Sequence, residues 1–233
     1  MSRQKVIVVT GGFGALGTAV ARTLVGHGAR VALLDRSAPP PPALAAELGS
    51  GHFFLGGVDL TDAAAARAAM DAVAAQLGRI DALVNVAGGF RWEKLEGGDP
   101  TTWDLMFAVN LKTAVNASRA ALPHLLVRGA GRIVNIGAGA AAKGSAGMGA
   151  YTAAKSGVQR FTESLADELK DRNITVNSVL PGTIDTPQNR ADMPDADVSR
   201  WVAPDAIAEV IAFLVSDAAR AVTGAAIPVF GRG

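Results

Sequence analysis

Short runs of aliphatic and β-branched residues alternate along this chain with longer stretches whose apolar positions recur at helical spacing. The runs at 5–10 (KVIVVT), 30–35 (RVALLD), 52–58, 80–86 (IDALVNV), 132–136 (RIVNI), 174–180 (ITVNSVL) and 225–230 predict seven strands. Helical spacing covers 15–27, 62–77, about 101–127, about 149–171 and about 204–216, with Thr61 expected to start the second of these helices. Strands joined by helix-length connections pair in parallel through crossovers. The pattern therefore predicts one α/β domain over residues 1–233, with a seven-stranded, mainly parallel, doubly wound sheet and helices on both faces. No linker divides it. Pro39–Pro42 reads as a stiff surface loop, and the alanine-rich stretch 63–75 as a structural helix. Residues 187–200 form the longest irregular segment and are expected to be the substrate loop.

Composition removes several kinds of chemistry. With no cysteine, the chain has no disulfide, thiolate nucleophile or cysteine-ligated zinc. Its 22 basic and 21 acidic residues leave a net charge of +1, so no basic field for nucleic acid is expected. His27, His52 and His124 are scattered without ligand spacing and read as structural or surface residues. The N-terminal apolar run stops at Thr10-Gly11, too short for a signal-peptide core. No apolar run approaches the roughly 20 residues that span a bilayer. A cytoplasmic protein acting on a small molecule, without nucleic-acid or membrane partners, is the expectation.

The first candidate site follows the first strand. Thr10-Gly11-Gly12-Phe13-Gly14-Ala15-Leu16-Gly17 lies between a strand and a helix, and G-x-G-x-x-G places Gly12, Gly14 and Gly17 at its positions. Small residues let the backbone approach a pyrophosphate, and the helix N-terminus offers unpaired N–H groups and a partial positive charge. This strand–turn–helix context makes the domain a Rossmann type. Asp35 ends the second strand about twenty residues on, where a carboxylate accepts hydrogen bonds from an adenosine ribose and repels a 2′-phosphate, favouring NAD(H) over NADP(H). Arg36 reads either as a partner for a 2′-phosphate or as a solvated charge. Asp59 reads either as an adenine contact or as a helix-starting residue.

The second candidate site is Tyr151-Thr152-Ala153-Ala154-Lys155 at the start of a predicted helix. A spacing of four puts the phenol and the ammonium one turn apart on one face. An ammonium there is expected to lower the phenol pKa and ease proton exchange. Asn85-Val86-Ala87-Gly88, Val109-Asn110-Leu111 and Pro181-Gly182-Thr183-Ile184-Asp185-Thr186 accompany it in order along the chain.

In these motifs, over nearly its whole length, the chain resembles the short-chain dehydrogenase/reductase family. The resemblance implies an NAD(P)-dependent oxidoreductase, a homodimer or homotetramer built on its two long helices. It assigns catalysis to Tyr151 and Lys155, with Asn110 helping to hold a proton-relay water. It assigns cofactor contacts to Gly11, Phe13, Gly14 and Leu16 in the loop, to Asp35 and Arg36, and to Asp59 and Leu60 beside the adenine. Further contacts fall to Asn85, Ala87 and Gly88, to Tyr151 and Lys155, and to Pro181, Gly182, Ile184 and Thr186, the last against the nicotinamide carboxamide.

The chain departs from the family pattern in two places. Ala15 stands where the loop's middle glycine is expected, and Ala138 stands where the family's catalytic serine lies thirteen residues before the tyrosine. That serine normally donates to the substrate oxygen, and removing one such donor costs about 3 kcal/mol of transition-state stabilisation. Ser145, on a loop, is the available substitute. Dihydropteridine reductase is a branch of the family that lacks the serine. Gly144–Met148, Asp185–Arg190, Met193-Pro194 and Trp201 are similar to its segments. The leading expectation is hydride transfer to a quinonoid dihydropterin or a similar conjugated imine, with Tyr151 as proton donor. The alternatives are a carbonyl or hydroxy-compound oxidoreductase such as a 3-oxoacyl reductase, and a non-catalytic NAD(P)-binding sensor. Trp92, Trp103 and Trp201 read first as core or loop anchors, and Trp92 and Trp201, flanking the expected mouth, read alternatively as stacking surfaces for a flat substrate.

Overall fold

The computed structural model describes residues 4–232. Seven strands form one sheet: β1 (Val6–Thr10), β2 (Arg30–Leu34), β3 (Phe53–Leu55), β4 (Ala82–Asn85), β5 (Gly131–Ile136), β6 (Ile174–Pro181) and β7 (Ala226–Val229). Their order is β3-β2-β1-β4-β5-β6-β7, and all six pairings are parallel, where the sequence pattern had predicted a mainly parallel sheet. The chain winds outward from β1 to β3, then returns to lay β4 on the other side of β1. Such a reversal opens a crevice at the carboxyl ends of the strands.

Neighbouring residues of β1 feed opposite cores. Ile7 and Val9 pack with α1 (Ala15–Gly26) and α8 (Pro204–Val215). Val6 and Val8 pack with α3 (Ala63–Leu77), α5 (Thr113–Arg128) and α6 (Gly149–Leu169). Both faces are covered, so the strand reads as a continuous apolar run rather than an alternation. Among the described residues, no helix is long and apolar enough to cross a membrane.

Several elements differ from the sequence expectation. The proline run is not only loop, because Pro42 opens a short helix, α2 (Pro42–Leu48), with its missing N–H at a position that needs none. The cap of α3 is Asp62, whose carboxylate accepts from the Ala64 N–H at 2.8 Å, and not Thr61. The single helix expected over 101–127 is three pieces: α4 (Thr101–Phe107), a π-helical turn (Ala108–Lys112) and α5. Within the segment 187–200, expected to be irregular, Thr186 caps a six-residue helix, α7 (Pro187–Asp192).

The amino ends of the strands are held by an acid. Asp81 accepts from the Val6 N–H at 2.8 Å, from two nitrogens of Arg79, and from Arg128 Nε at 3.1 Å. It thereby ties the starts of β1 and β4 to the C-terminus of α5. Burial pushes its carboxyl up, but the hydrogen bonds from Arg79, Val6 and Arg128 outweigh this and bring it below the ordinary 3.8. The resulting stability is present above 3.8 and is lost as pH falls through the folded value. The Asp81 side chain is only 10% exposed, so Asp81→Asn should cost about 2 kcal/mol in urea unfolding at neutral pH and flatten the acid limb of the stability curve. An unchanged midpoint would show that the cluster contributes nothing.

Candidate active site

The turn after β1 is closed by glycines that nothing larger can replace. Gly11 has φ +62°, and a Cβ there would stand 2.9 Å from the backbone of Ala87. A Cβ on Gly17 would stand 2.1 Å from the carbonyl oxygen of Gly11. A Cβ on Gly12 would stand 2.7 Å from Leu33 Cβ. Gly14, by contrast, has only ordinary contact within the protein. The spacing read as Gly12, Gly14 and Gly17 is thus enforced by packing at Gly11, Gly12 and Gly17. The Thr10 hydroxyl accepts from the N–H groups of Val86 and Ala87 at 3.1 and 3.2 Å, locking the turn to the end of β4. No side chain caps α1, so its first N–H groups remain open for an anion. Ala15 is exposed on the wall of the cleft, and its methyl meets no steric demand that only glycine could satisfy.

A cleft of about 670 Å³ runs along this turn. Of the residues expected to hold a cofactor, Gly11, Gly14, Leu16, Asp35, Arg36, Asp59, Leu60, Ala87, Gly88 and Thr186 line it. Asp35 accepts from the Phe13 N–H at 3.0 Å and the Ser37 N–H at 2.9 Å, which leaves carboxylate lone pairs for a further donor. Asp59 takes a third role that sequence had not separated. Its carboxylate folds back onto the hydroxyl and N–H of Thr61, at 2.7 and 2.9 Å, and those bonds hold it below the usual aspartate value. It therefore shapes a turn on the cleft wall and does not start the helix.

Other expected contacts lie outside that lining. Phe13 packs its ring against the core of α1 and α8. Asn85 is buried and donates to Ser118 and Asn135, joining β4 to α5 and β5. Pro181, Gly182 and Ile184 lie at the end of β6 and beyond it, with Phe230 over Gly182 and Val202 bridged to Ile184. Ser37, Val58 and Thr113, which sequence did not suggest, also line the wall, together with Val109 and Gln188. Thr113 is one turn beyond Val109, a helical-face signal that Asn110 alone did not reveal. Asn116, one further turn along α5, donates to the carbonyls of Leu60 and Thr61 at 2.9 and 3.1 Å and steadies that stretch of the cleft wall.

Tyr151 sits in the first turn of α6, with Lys155 one turn on. Lys155 is 5% exposed, and its Nζ donates to the Ile136 carbonyl at 2.7 Å. Burial pulls the ammonium down to about 8 and pushes the phenol up to about 12. The expectation that Lys155 lowers the phenol pKa is thus corrected: in the protein alone, desolvation of Tyr151 dominates. Gly88 passes between the two candidate polar groups. A Cβ there would stand 2.8 Å from Asn110 Oδ1 and 3.4 Å from Lys155 Nζ.

The Asn110 side chain, in the π-helical turn, is occupied by backbone. Its Nδ2 donates to Gly89 and Met106 carbonyls, both at 3.0 Å, and its Oδ1 accepts from the Gly89 N–H at 3.1 Å. Its amide therefore positions the end of β4. Ala138 is buried in extended backbone at the end of β5, while Ser145 is exposed. A hydroxyl is missing where one donor would be expected.

The two glycine approaches, the open helix end and the free lone pairs of Asp35 fit the pyrophosphate and ribose of a dinucleotide. A short chain dehydrogenase family model matches residues 5–197. The 2-(S)-hydroxypropyl-CoM dehydrogenase 3 of Xanthobacter autotrophicus is 35% identical, with 98% of this chain and 96% of that protein covered. A relative named inactive 2-(S)-hydroxypropyl-CoM dehydrogenase 2, from the same organism, is 38% identical, covering 91% of this chain and 98% of its own. The crystal structure of a 3-ketoacyl-(acyl-carrier-protein) reductase from Brucella melitensis, complexed with NADH, superposes with a TM-score of 0.88 at 29% identity, covering 98% of both chains. The chain belongs to the short-chain dehydrogenase/reductase family of NAD(P)-dependent oxidoreductases.

Proposed function

We propose that this protein is an NADH-dependent reductase of a conjugated imine, with a quinonoid dihydropterin as the leading acceptor. One observation carries the reading: Tyr151 and Lys155 are intact, while the position thirteen residues before Tyr151, where the family pattern puts a second donor, is the buried alanine Ala138. Reduction of an isolated ketone concentrates negative charge on one oxygen, and a preorganised second donor is then worth about 3 kcal/mol. A conjugated imine spreads that charge over its ring and needs one proton on nitrogen. One donor suffices.

Bound in the cleft, a nicotinamide dinucleotide supplies the hydride. The residues of the chain do the rest. The turn at Gly11 and Gly17, with the start of α1, receives the pyrophosphate, and Asp35 receives the adenosine ribose and repels a 2′-phosphate. Thr186 caps α7 through its oxygen and keeps its hydroxyl hydrogen for the carboxamide. Tyr151, held near 12 by burial, carries its proton at neutral pH but gives it up less readily than a free phenol. Its proton passes to the acceptor nitrogen, and the phenolate left behind is stabilised by the Lys155 charge one turn away and reprotonated from solvent.

The reading includes a homodimer or homotetramer joined through the helices of residues 101–128 and 149–169, where Trp103, Leu105, Phe107 and Val127 stay exposed. A second reading, reduction of a 3-oxoacyl thioester, is favoured by the name of the Brucella neighbour.

Assays with NADH and NADPH on a quinonoid dihydropterin and a 3-oxoacyl thioester test the proposal. Tyr151→Phe should lower turnover about 10³-fold while the NADH Kd stays within about 2-fold. Unchanged turnover would remove Tyr151 from the chemistry. Ala138→Ser should raise kcat/KM on the thioester about 100-fold and leave the dihydropterin rate nearly unchanged. The opposite preference would establish the second reading, and NADH binding without any turnover would favour the non-catalytic one.

A further inference from the structure

The strand end that carries Gly88 continues into a short segment fastened at two points. The Asn110 amide grips Gly89 through both its N–H and its carbonyl, at 3.1 and 3.0 Å. Four residues on, the Glu93 N–H donates to the Gly147 carbonyl at 2.7 Å. Trp92 lies against Gly147, which has φ +74°, so closely that a Cβ there would fall 2.2 Å from the indole Cε2. Any side chain at position 147 would displace the indole. Residues 90–93 are therefore a fixed rail between the cleft and the loop that leads into Tyr151.

That rail presents aromatic surface. The Phe90 ring meets Tyr151 edge to face, with centroids 5.0 Å apart and planes at 88°. Phe90 and Trp92 are nevertheless each 56% exposed. Rigidly held apolar rings facing water beside a proton donor carry an unmet hydration cost, which a bound apolar group relieves. At the carboxyl ends of β5 and β7, the residues after the missing hydroxyl are equally apolar. Phe230 packs onto Gly139, where a Cβ would fall 2.4 Å from its Cε1, next to buried Ala138.

We propose that Phe90 is a specificity-determining residue, the platform on which a flat conjugated ring of the acceptor lies beside Tyr151. Asn110 and the Trp92–Gly147 contact act as positioning groups for it. A planar ring gains offset stacking on Phe90, whereas a flexible acyl chain gains only ordinary contact. The inference rests on the reading of Tyr151 as proton donor, and it narrows the acceptor to the planar class.

Phe90→Ala and Phe90→Trp in the full chain separate the possibilities, with quinonoid dihydropterin as planar acceptor and acetoacetyl-CoA as acyclic one. Phe90→Ala should lower kcat/KM for the planar acceptor about 10- to 30-fold, mainly through KM, and change the acyclic acceptor by less than about 2-fold. Phe90→Trp should restore the planar preference. Binding of tetrahydropterin should quench tryptophan fluorescence, and Trp92→Phe should remove that signal. Equal losses on both acceptors would reduce Phe90 to a buttress for Tyr151 and overturn the proposal, as would no loss on either or no binding of the planar ring by the unaltered protein. Failure of the underlying reading shows separately, as a Tyr151→Phe protein that still turns over.

Discussion

The enclosed Lys155 nitrogen gives its hydrogen bond to the Ile136 carbonyl and so fastens α6 to the end of β5. Its other neighbour is Gly88, whose missing side chain lets the end of β4 pass between Lys155 and Asn110. The buried ammonium thereby fixes the helix carrying Tyr151 against the end of β5 that leads to Ala138, while Asn110 holds the strand end leading to Phe90. The cost appears in its own ionisation, drawn down to about 8 by burial. Such a charge is kept in a core where function requires it, because a well-packed apolar side chain would be the more stable choice.

Burial acts in the opposite sense on the phenol. Tyr151 is held protonated at neutral pH, and burial makes it a weaker acid than a free phenol, so the Lys155 charge one turn away has to offset that cost when the proton leaves. Ala138 removes the hydroxyl that would share the work of neutralising a developing oxyanion. Together these features are the ground on which a single proton donor and an acceptor that itself spreads the charge are proposed. The aromatic rail at Phe90 and Trp92 supplies the surface that such an acceptor needs.

Much of this was legible in the sequence because it depends on local spacing. The alternation of runs and helical stretches predicts the sheet. The strand–glycine–helix turn predicts the anion site, and the four-residue interval predicts one shared helix face for Tyr151 and Lys155. What stayed hidden depends on the third dimension. A π-helical turn at Ala108–Lys112 hardly alters the hydrophobic period, so the break that places Asn110 left no trace. Phe13 and Asn85 lie inside recognisable motifs, yet one turns into the α1/α8 core and the other bonds across the sheet. Thr61 and Asp62 are both good caps, and only the bond to the Ala64 N–H distinguishes them. The direction of the Tyr151 shift was misjudged because spacing reveals the nearby charge and not the surrounding burial.

The single tyrosine in the chain makes the central claim directly measurable. Titration of the cofactor-free protein, followed by the ultraviolet absorbance of tyrosinate, reads Tyr151 alone. A phenol held protonated by burial should stay un-ionised well past its ordinary value of 10 and titrate near 12, or ionise only when the protein unfolds. Half-titration at or below 10 in the folded protein would contradict it, showing that burial does not hold the phenol protonated at this site.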